Sequence, residues 1–278
     1  MRGMRLVLTA ALLFAGLAES ATARTRAVLH PSSLPAPPSV MWIAAHPDDE
    51  AIAAPLLGKW CREERVRCTF LILTRGEGGT CLRSDGCHPD VASVRSAEAG
   101  SASQYFGAGL ILLTYPNTAG VDKPDWRTSS GDGPDVVTAV AHYIEAFRPT
   151  LVLTFDPRHG TTCHPDHLET GAIVIDAVKL LSYEPELYLL ETRVTFAFDP
   201  LVIRFAPAVS GLQRFDANEI LISTQTSAWS EILRDMERHS SQFDESWLAA
   251  IQNVPLSDRA VYVAPAKETL GQLVPGCP

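Results

Sequence analysis

Residues 40–50 read VMWIAAHPDDE, and this stretch decides the fold class because an apolar run leads directly into a polar, acidic turn. The apolar run, residues 40–45, is typical of a strand that is buried on both faces of a parallel sheet. A helical pattern follows over residues 50–61. In open parallel sheets, ligands bind beyond the carboxyl ends of the strands, so we expect a site that begins at His46.

The rest of the chain alternates between strand-like and helix-like segments. We predict further strands at 66–74, 110–113 and 150–154, and helices at 91–106, 134–147 and 165–181. This alternation predicts an α/β fold with a mainly parallel central sheet that helices cover on both faces. From residue 187 the pattern changes to strands at 187–190, 201–205 and 260–263, with a helix at 227–239. We expect this C-terminal β/α extension to lengthen the sheet and to form one wall of a cleft.

A second polar cluster, GTTCHPDH at residues 160–167, follows the predicted strand at 150–154. Two such loops at the same sheet edge meet in one site. A catalytic zinc ion takes three protein ligands from His, Asp or Glu and keeps one position for water. His46 and Asp49 are three residues apart at a helix start, so both side chains turn to one face. His167 supplies a third ligand from the second loop.

The remaining polar residues of the two loops have the chemistry of acid and base catalysts. Asp48 is placed to act as general base beside the metal. His164 is placed to protonate a leaving amine or to stabilise an oxyanion. The sequence does not decide whether His164 or protonated Asp48 gives the amine its proton. His159, in the loop before the second cluster, is a candidate substrate contact.

Three further segments support the two clusters. They are TRGEGG at 74–79, Arg95 with Glu98 on a predicted helix, and HSSQ at 239–242. Together the five segments resemble, in the same order, the LmbE/PIG-L family of zinc-dependent N-acetylglucosaminyl deacetylases. The resemblance covers residues 40–243 and implies a Rossmann-like three-layer sandwich.

The resemblance also implies a single catalytic Zn²⁺ held by His46, Asp49 and His167. His and carboxylate ligands would also accept iron, manganese or cobalt. The implied substrate is a small molecule or oligosaccharide that bears an N-acetylglucosamine-type sugar.

The family pattern assigns roles to the other polar residues of the cleft. Asp48 is the implied base and His164 the implied acid or oxyanion partner. Asp166 would orient His164, and Arg95 would contact the substrate. Cys163 stands where relatives often carry Gly, which bears on the choice of substrate rather than on the chemistry.

The N-terminal segment predicts export of the chain. Residues 1–23 combine Arg2 and Arg5, an apolar run and a small-x-small site, which together are typical of a cleaved secretory signal peptide. An uncleaved membrane anchor is the alternative, which the short apolar run disfavours. Residues 24–39 form a Pro/Ser-rich linker, and residues 40–278 form the catalytic domain. We therefore expect a secreted or periplasmic protein with no stable membrane span after cleavage.

Six cysteines in an exported chain favour disulfides. Although six cysteines allow many connectivities, closeness in sequence favours Cys81 with Cys87 and Cys61 with Cys68. That leaves Cys163 with Cys277.

The charge balance argues against a nucleic-acid partner. With 23 basic and 32 acidic residues, the formal net charge is −9, which does not suggest a nucleic-acid partner. The sequence makes no prediction of the oligomeric state. Two functional alternatives stay open, a non-catalytic sugar- or zinc-binding protein on the same fold and a zinc hydrolase of another amide or ester.

Overall fold

The computed structural model describes residues 36–117, 125–128, 135–198, 200–209, 212–273 and 277. The predicted signal peptide (1–23), most of the predicted linker (24–39) and part of the polar loop after the third strand lie outside the described residues. The described residues fall within one compact unit, Ser32–Pro278. Among them, every helix is too short or too polar to cross a membrane.

The strands and helices follow each other mostly as the sequence predicts. The strands are β1 (Ser39–Ala44), β2 (Arg67–Ile72), β3 (Gly109–Leu112), β4 (Leu151–Phe155), β5 (Glu186–Leu190), β6 (Thr192–Phe198), β7 (Leu201–Pro207), β8 (Gln213–Asp216), β9 (Ile220–Leu221), β10 (Thr226–Ser227) and β11 (Ala260–Pro265). The helices are α1 (Glu50–Leu57), α2 (Val91–Phe106), α3 (Val136–Phe147), α4 (Gly160–Cys163), α5 (Pro165–Val178), α6 (Ser230–Met236), α7 (Glu245–Gln252) and α8 (Ala266–Thr269).

Seven of the described strands form the central sheet, in the order β3-β2-β1-β4-β5-β11-β8. The first five strands of this order run parallel, and β11 and β8 extend the sheet in antiparallel pairing. The chain leaves β1 toward β2 on one side and later returns to β4 on the other side. This reversal between β1 and β4 is the point at which open α/β sheets bind ligands.

Alternate side chains of β1 enter two separate cores. Val40, Trp42 and Ala44 pack in the core on the side of α1 and α6. Met41 and Ile43 pack in the core on the side of α3 and α5. The molecule therefore has the predicted three layers, because β1 is buried on both faces as its apolar run indicates.

The C-terminal extension differs in detail from the prediction. β7 covers the predicted strand at 201–205, but it pairs with β6 in a separate hairpin and does not lengthen the central sheet. The predicted helix at 227–239 is shorter, since β10 occupies its first residue and α6 ends at Met236. Helix α7 was not predicted, although Asp244 caps its first turn as helix-starting residues do.

All three predicted disulfides form. They join Cys61 to Cys68, Cys81 to Cys87, and Cys163 to Cys277. The last of these ties the C-terminal end of the chain to the residue that precedes His164.

Candidate metal centre

The two polar clusters meet at the sheet edge where β1 and β4 lie side by side. His46 to Asp49 follow β1, and His164 and His167 lie at the start of α5. A cavity of about 600 Å³ opens there. Its lining includes His46, Asp48, Asp49, Arg95, His164 and His167. The structure therefore brings the predicted ligands and the predicted base into one cleft.

The two oxygens of the Asp49 carboxylate have different environments. Oδ2 accepts hydrogen bonds from the backbone N–H groups of Ala45 (2.9 Å) and His46 (2.8 Å). Oδ1 lies 3.0 Å from His167 Nε2 and 3.5 Å from His46 Nδ1. The backbone contacts fix the carboxylate, and Oδ1 points at one nitrogen of each histidine. Burial alone would raise the pKa of Asp49, but these two histidines hold it well below its usual value.

Each of the two histidines is anchored through the nitrogen that faces away from Asp49. His167 Nδ1 lies 2.9 Å from the carbonyl oxygen of Gly160, and because a carbonyl only accepts, Nδ1 carries the proton. His46 Nε2 lies 2.8 Å from Asp166 Oδ2. Metal-binding histidines are oriented by such carbonyl and carboxylate partners. The ring of His167 also stacks on Phe155, with ring centroids 4.2 Å apart.

His46 Nδ1, Asp49 Oδ1 and His167 Nε2 could together hold one divalent cation. A second combination is also close, since ligand atoms of His46, His164 and His167 lie within 4.8 Å of one another. We favour the set with Asp49, because its free oxygen faces both anchored imidazoles and its negative charge offsets that of the cation.

The electric field of the site favours a cation beside His46 and a neutral His164. Burial alone would lower the pKa of His46, but Asp49 and Asp166 outweigh it and raise this pKa to about 9. Burial, together with His167 and His46, lowers the pKa of His164 to about 4. The backbone N–H of Asp166 donates to His164 Nδ1 (3.2 Å), so the neutral imidazole carries its proton on Nε2.

Asp48 is held by Arg95 at the edge of this site. Arg95 Nη2 lies 2.8 Å from Asp48 Oδ1 and also donates to the carbonyl of Pro47. Arg95 Nη1 donates to the carbonyl of Gly76 (3.0 Å). Burial raises the pKa of Asp48, and the charge of Arg95 counteracts this rise. Arg95 lines the cleft while its guanidinium pairs with Asp48 and the loops, and its contact with a substrate stays a prediction.

The glycine-rich loop at 74–79 makes room for Arg95. Gly76 has a φ of 69°, and a Cβ atom there would lie 2.5 Å from the guanidinium carbon of Arg95. A Cβ atom on Gly79 would be equally close to Arg95 Nη1. Glycine therefore fits both the backbone conformation and the close approach of the side chain.

Changing Arg95 should separate its geometric role from its charge. We expect Arg95→Lys to lower kcat by about 10-fold, because an ammonium cannot reproduce the fork of a guanidinium. Arg95→Gln also removes the charge that lowers the pKa of Asp48, so that pKa should rise. Asp48, as the predicted base, acts in its deprotonated form. The acid limb of the plot of kcat/KM against pH should therefore move to higher pH only in Arg95→Gln. Profiles that coincide for the two variants would contradict this role.

The structure also bears on the roles predicted for His159 and Asp166. His159 is fully buried, where Nε2 lies 3.2 Å from Glu191 Oε2 and Nδ1 accepts from the backbone N–H of Thr161. It therefore lies behind the cleft and does not contact a substrate. The carboxylate of Asp166 contacts His46, and its backbone N–H donates to His164 Nδ1, so Asp166 helps to hold both histidines.

Sequence reasoning missed several residues of the site. Asn117 lines the cleft and donates through Nδ2 to Asp166 Oδ2 (2.9 Å). Glu50, which the sequence analysis left without a role, is fully buried. The side of the cleft across from the polar clusters is apolar, formed by Ile52, Val194, Phe196, Ile203, Phe205, Ile232, Met236, Phe243, Trp247 and Ile251. Most of these residues belong to the β6–β7 hairpin, α6 and α7, so the extension forms the expected wall.

Solved structures share the fold of this chain. N,N'-diacetylchitobiose deacetylase from Pyrococcus horikoshii superposes with a TM-score of 0.57 at 18% identity, over 78% of this chain and 74% of that one. The 4-carboxy-2-hydroxymuconate hydratase from Pseudomonas putida superposes with a TM-score of 0.55 at 14% identity, over 86% and 99%. Because these two proteins are named for different reactions, the shared fold alone does not specify the chemistry.

Sequence comparisons are more specific about the family of this chain than the shared fold is. The 1D-myo-inositol 2-acetamido-2-deoxy-alpha-D-glucopyranoside deacetylase of Kineococcus radiotolerans is 27% identical over 165 residues, which cover 52% of this chain and 45% of that protein. The chain spans about half the length of the curated relatives that it matches. Residues 41–178 match the family model described as PIG-L: GlcNAc-PI de-N-acetylase, and this range contains both polar clusters. Over residues 41–178, which include His46, Asp49 and His167, the chain belongs to the PIG-L family.

Proposed function

We propose that this protein is a metal-dependent N-deacetylase that hydrolyses the acetamide of an N-acetylglucosamine-type sugar or glycoconjugate. One observation carries the proposal, namely that the Asp48 carboxylate lines the same cleft as a fixed carboxylate oxygen and two anchored imidazoles. A binding protein needs ligands for a metal but no base beside them. The deacetylase names of the curated relatives support the choice of bond and sugar.

His46, Asp49 and His167 would hold the cation, for which zinc is the proposed identity. When bound, a divalent cation supplies Lewis acidity that polarises a carbonyl and lowers the pKa of water. Arg95 keeps the carboxylate of Asp48 pointed into the cleft, where it accepts the proton of the attacking water. His164, neutral and protonated on Nε2, donates a hydrogen bond to the oxygen on which negative charge develops.

The pKa values of His164 and Asp48 favour one of the two proton donors that the sequence leaves open. The pKa of His164 is lowered to about 4, so at neutral pH its imidazole carries no extra proton to give. Asp48 gains a proton when water attacks, and its pKa is raised by burial. We therefore assign to Asp48 the return of this proton to the leaving amine.

The cleft also fits a substrate larger than one sugar. It holds about 600 Å³ and is polar on the side of His46 and Asp48 and apolar on the side of Phe196 and Trp247. Ligand pockets of this size combine an apolar wall with a few polar groups that fix orientation. We place the acetamide at the polar side and the rest of the glycoconjugate along the apolar wall.

The proposed reaction is tested by acetate release from a matched panel of substrates. We expect release from N-acetylglucosaminides, and none from the corresponding O-acetyl sugars or from N-acetyl amino acids. Preference for the O-acetyl sugars or for the N-acetyl amino acids would support the alternative of a zinc hydrolase of another ester or amide. Metal binding without release from any member would support the non-catalytic alternative.

We further propose that the protein works outside the cytoplasm, on an extracytoplasmic glycan or secreted natural product. The basis is the signal-like segment at residues 1–23. N-terminal sequencing of the exported protein should show a mature chain that begins near residue 24. A chain that keeps its first residues in the cytosol would contradict this placement.

A further inference from the structure

A buried polar cluster lies behind Asp48, outside the set of residues that faces the cleft. Its members are Glu50, at the start of α1, Asp235, near the end of α6, and His239, three residues after α6 ends, and all three are fully buried. Charged groups are rarely buried without a partner, because removing them from water is costly. The contacts of the cluster therefore indicate what it does.

Glu50 joins His239 to the backbone of Asp48. Glu50 Oε2 accepts a hydrogen bond from the backbone N–H of Asp48 (3.2 Å). Glu50 Oε1 lies 2.9 Å from His239 Nε2. The pKa of His239 is raised to about 9, so its Nε2 carries a proton and is the donor. The two oxygens of one side chain thus connect α6 to the residue that carries the proposed base.

The Asp48 backbone has a conformation that requires such support. Its φ is 102°, a value that non-glycine residues seldom adopt. Strained residues of this kind persist where surrounding contacts hold them, and they cluster at functional sites. At Asp48, Arg95 holds the carboxylate and Glu50 holds the backbone N–H. A base whose position is fixed on both sides needs no reorganisation when the substrate binds.

The charges around His239 strengthen its contact with Glu50. Burial alone would lower the pKa of His239, but Glu50, Asp235 and Asp48 outweigh it and raise this pKa to about 9. His239 is therefore an imidazolium at neutral pH, and a charged donor makes its hydrogen bond to Glu50 stronger than a neutral donor would. Burial raises the pKa of Asp235 well above its usual value, and the nearby cation Arg238 counteracts this rise.

We propose that Glu50 and His239 form a positioning pair that holds the strained backbone of Asp48 so that its carboxylate faces the reacting water. The inference rests on the proposed role of Asp48 as base. Neither residue touches the substrate, so the pair should govern kcat and leave KM and metal content nearly unchanged.

The test compares variants that keep or remove each contact. Glu50→Gln offers one acceptor instead of two, so it loses either the Asp48 contact or the His239 contact. His239→Leu removes the donor, whereas His239→Gln keeps an N–H at a similar distance from the backbone. Glu231→Gln is the matched control, because Glu231 is also fully buried but pairs with Arg62 away from the cleft. Each protein is measured for kcat, KM, bound metal and thermal unfolding.

We expect kcat to fall by about 10- to 100-fold in Glu50→Gln and in His239→Leu, since small errors in geometry cost that much. KM should stay within about twofold, with one metal equivalent bound. His239→Gln and Glu231→Gln should retain kcat within about threefold of wild type. If His239→Leu does not fold, the kcat of Glu50→Gln alone decides whether the pair positions Asp48.

Three results would overturn the inference. Wild-type kcat in Glu50→Gln would show that the pair does not position Asp48. An equal loss of kcat in His239→Gln and His239→Leu would show that the hydrogen bond is unimportant. Two metal equivalents in wild type, one of them lost in Glu50→Gln, would make the cluster a cation site. A wild-type protein that releases no acetate would contradict the proposed function itself, which separates that failure from a failure of the pair.

Discussion

Asp48→Asn should lower kcat by about 100- to 10,000-fold while the protein keeps its metal, because a positioned general base contributes rate factors of this size. Asparagine tolerates the positive φ of Asp48, and its amide has nearly the shape of the carboxylate. The variant therefore removes the proton acceptor and leaves the backbone and the metal ligands in place. It also weakens the contact with Arg95, because the asparagine amide carries no negative charge.

The measurement is kcat for acetate release, with metal content determined on the same preparation. Asp216→Asn, on β8, makes the same chemical change outside the cleft and should leave kcat unchanged. If Asp48→Asn retains kcat within about threefold of wild type, another group takes the proton and the assignment of the base is wrong.

Asp49→Ala and His167→Ala should each lose the bound metal and lower kcat/KM by at least about 1,000-fold, because Lewis-acid activation supplies several kcal/mol of transition-state stabilisation. Asp49 Oδ1 faces both imidazoles, so its removal takes away the one negative ligand. Without His167, two protein donors remain, which is fewer than catalytic zinc sites use.

Elemental analysis of the purified variants checks this prediction, with about one equivalent expected in wild type. His142→Ala is the matched control, because His142 lies on the exposed side of α3 and should not affect metal content. Full metal content in Asp49→Ala would contradict the proposed ligand set. It would favour the alternative set of His46, His164 and His167.

The architecture and the meeting of the two polar clusters in one cleft could be predicted from sequence because both depend on local pattern. An apolar strand that ends in His46 is buried on both faces, and a second such strand precedes the loop of His167. The loops that follow parallel strands lie at the same edge of the sheet, so strand polarity places both polar clusters at one edge. The spacing of His46 and Asp49 then places both side chains on one side of the turn.

What could not be predicted depends on contacts between segments that are distant in sequence. Glu50 reads as a solvent-facing residue at a helix start until α6 covers it with His239. The carboxylate of Asp166 turns toward His46, although its own neighbour His164 is closer in sequence. His159 lies in the cleft loop but turns into the interior toward Glu191. A local pattern fixes which residues enter a loop, but tertiary packing decides which way each side chain turns.

The most direct test of a metal-dependent deacetylase is acetate release from an N-acetylglucosaminide before and after removal of metal. The purified protein would be assayed as isolated, after chelation, and after return of zinc. We expect chelation to abolish acetate release, and about one equivalent of zinc to restore it. Acetate release that continues at the original rate in metal-free protein would contradict the account.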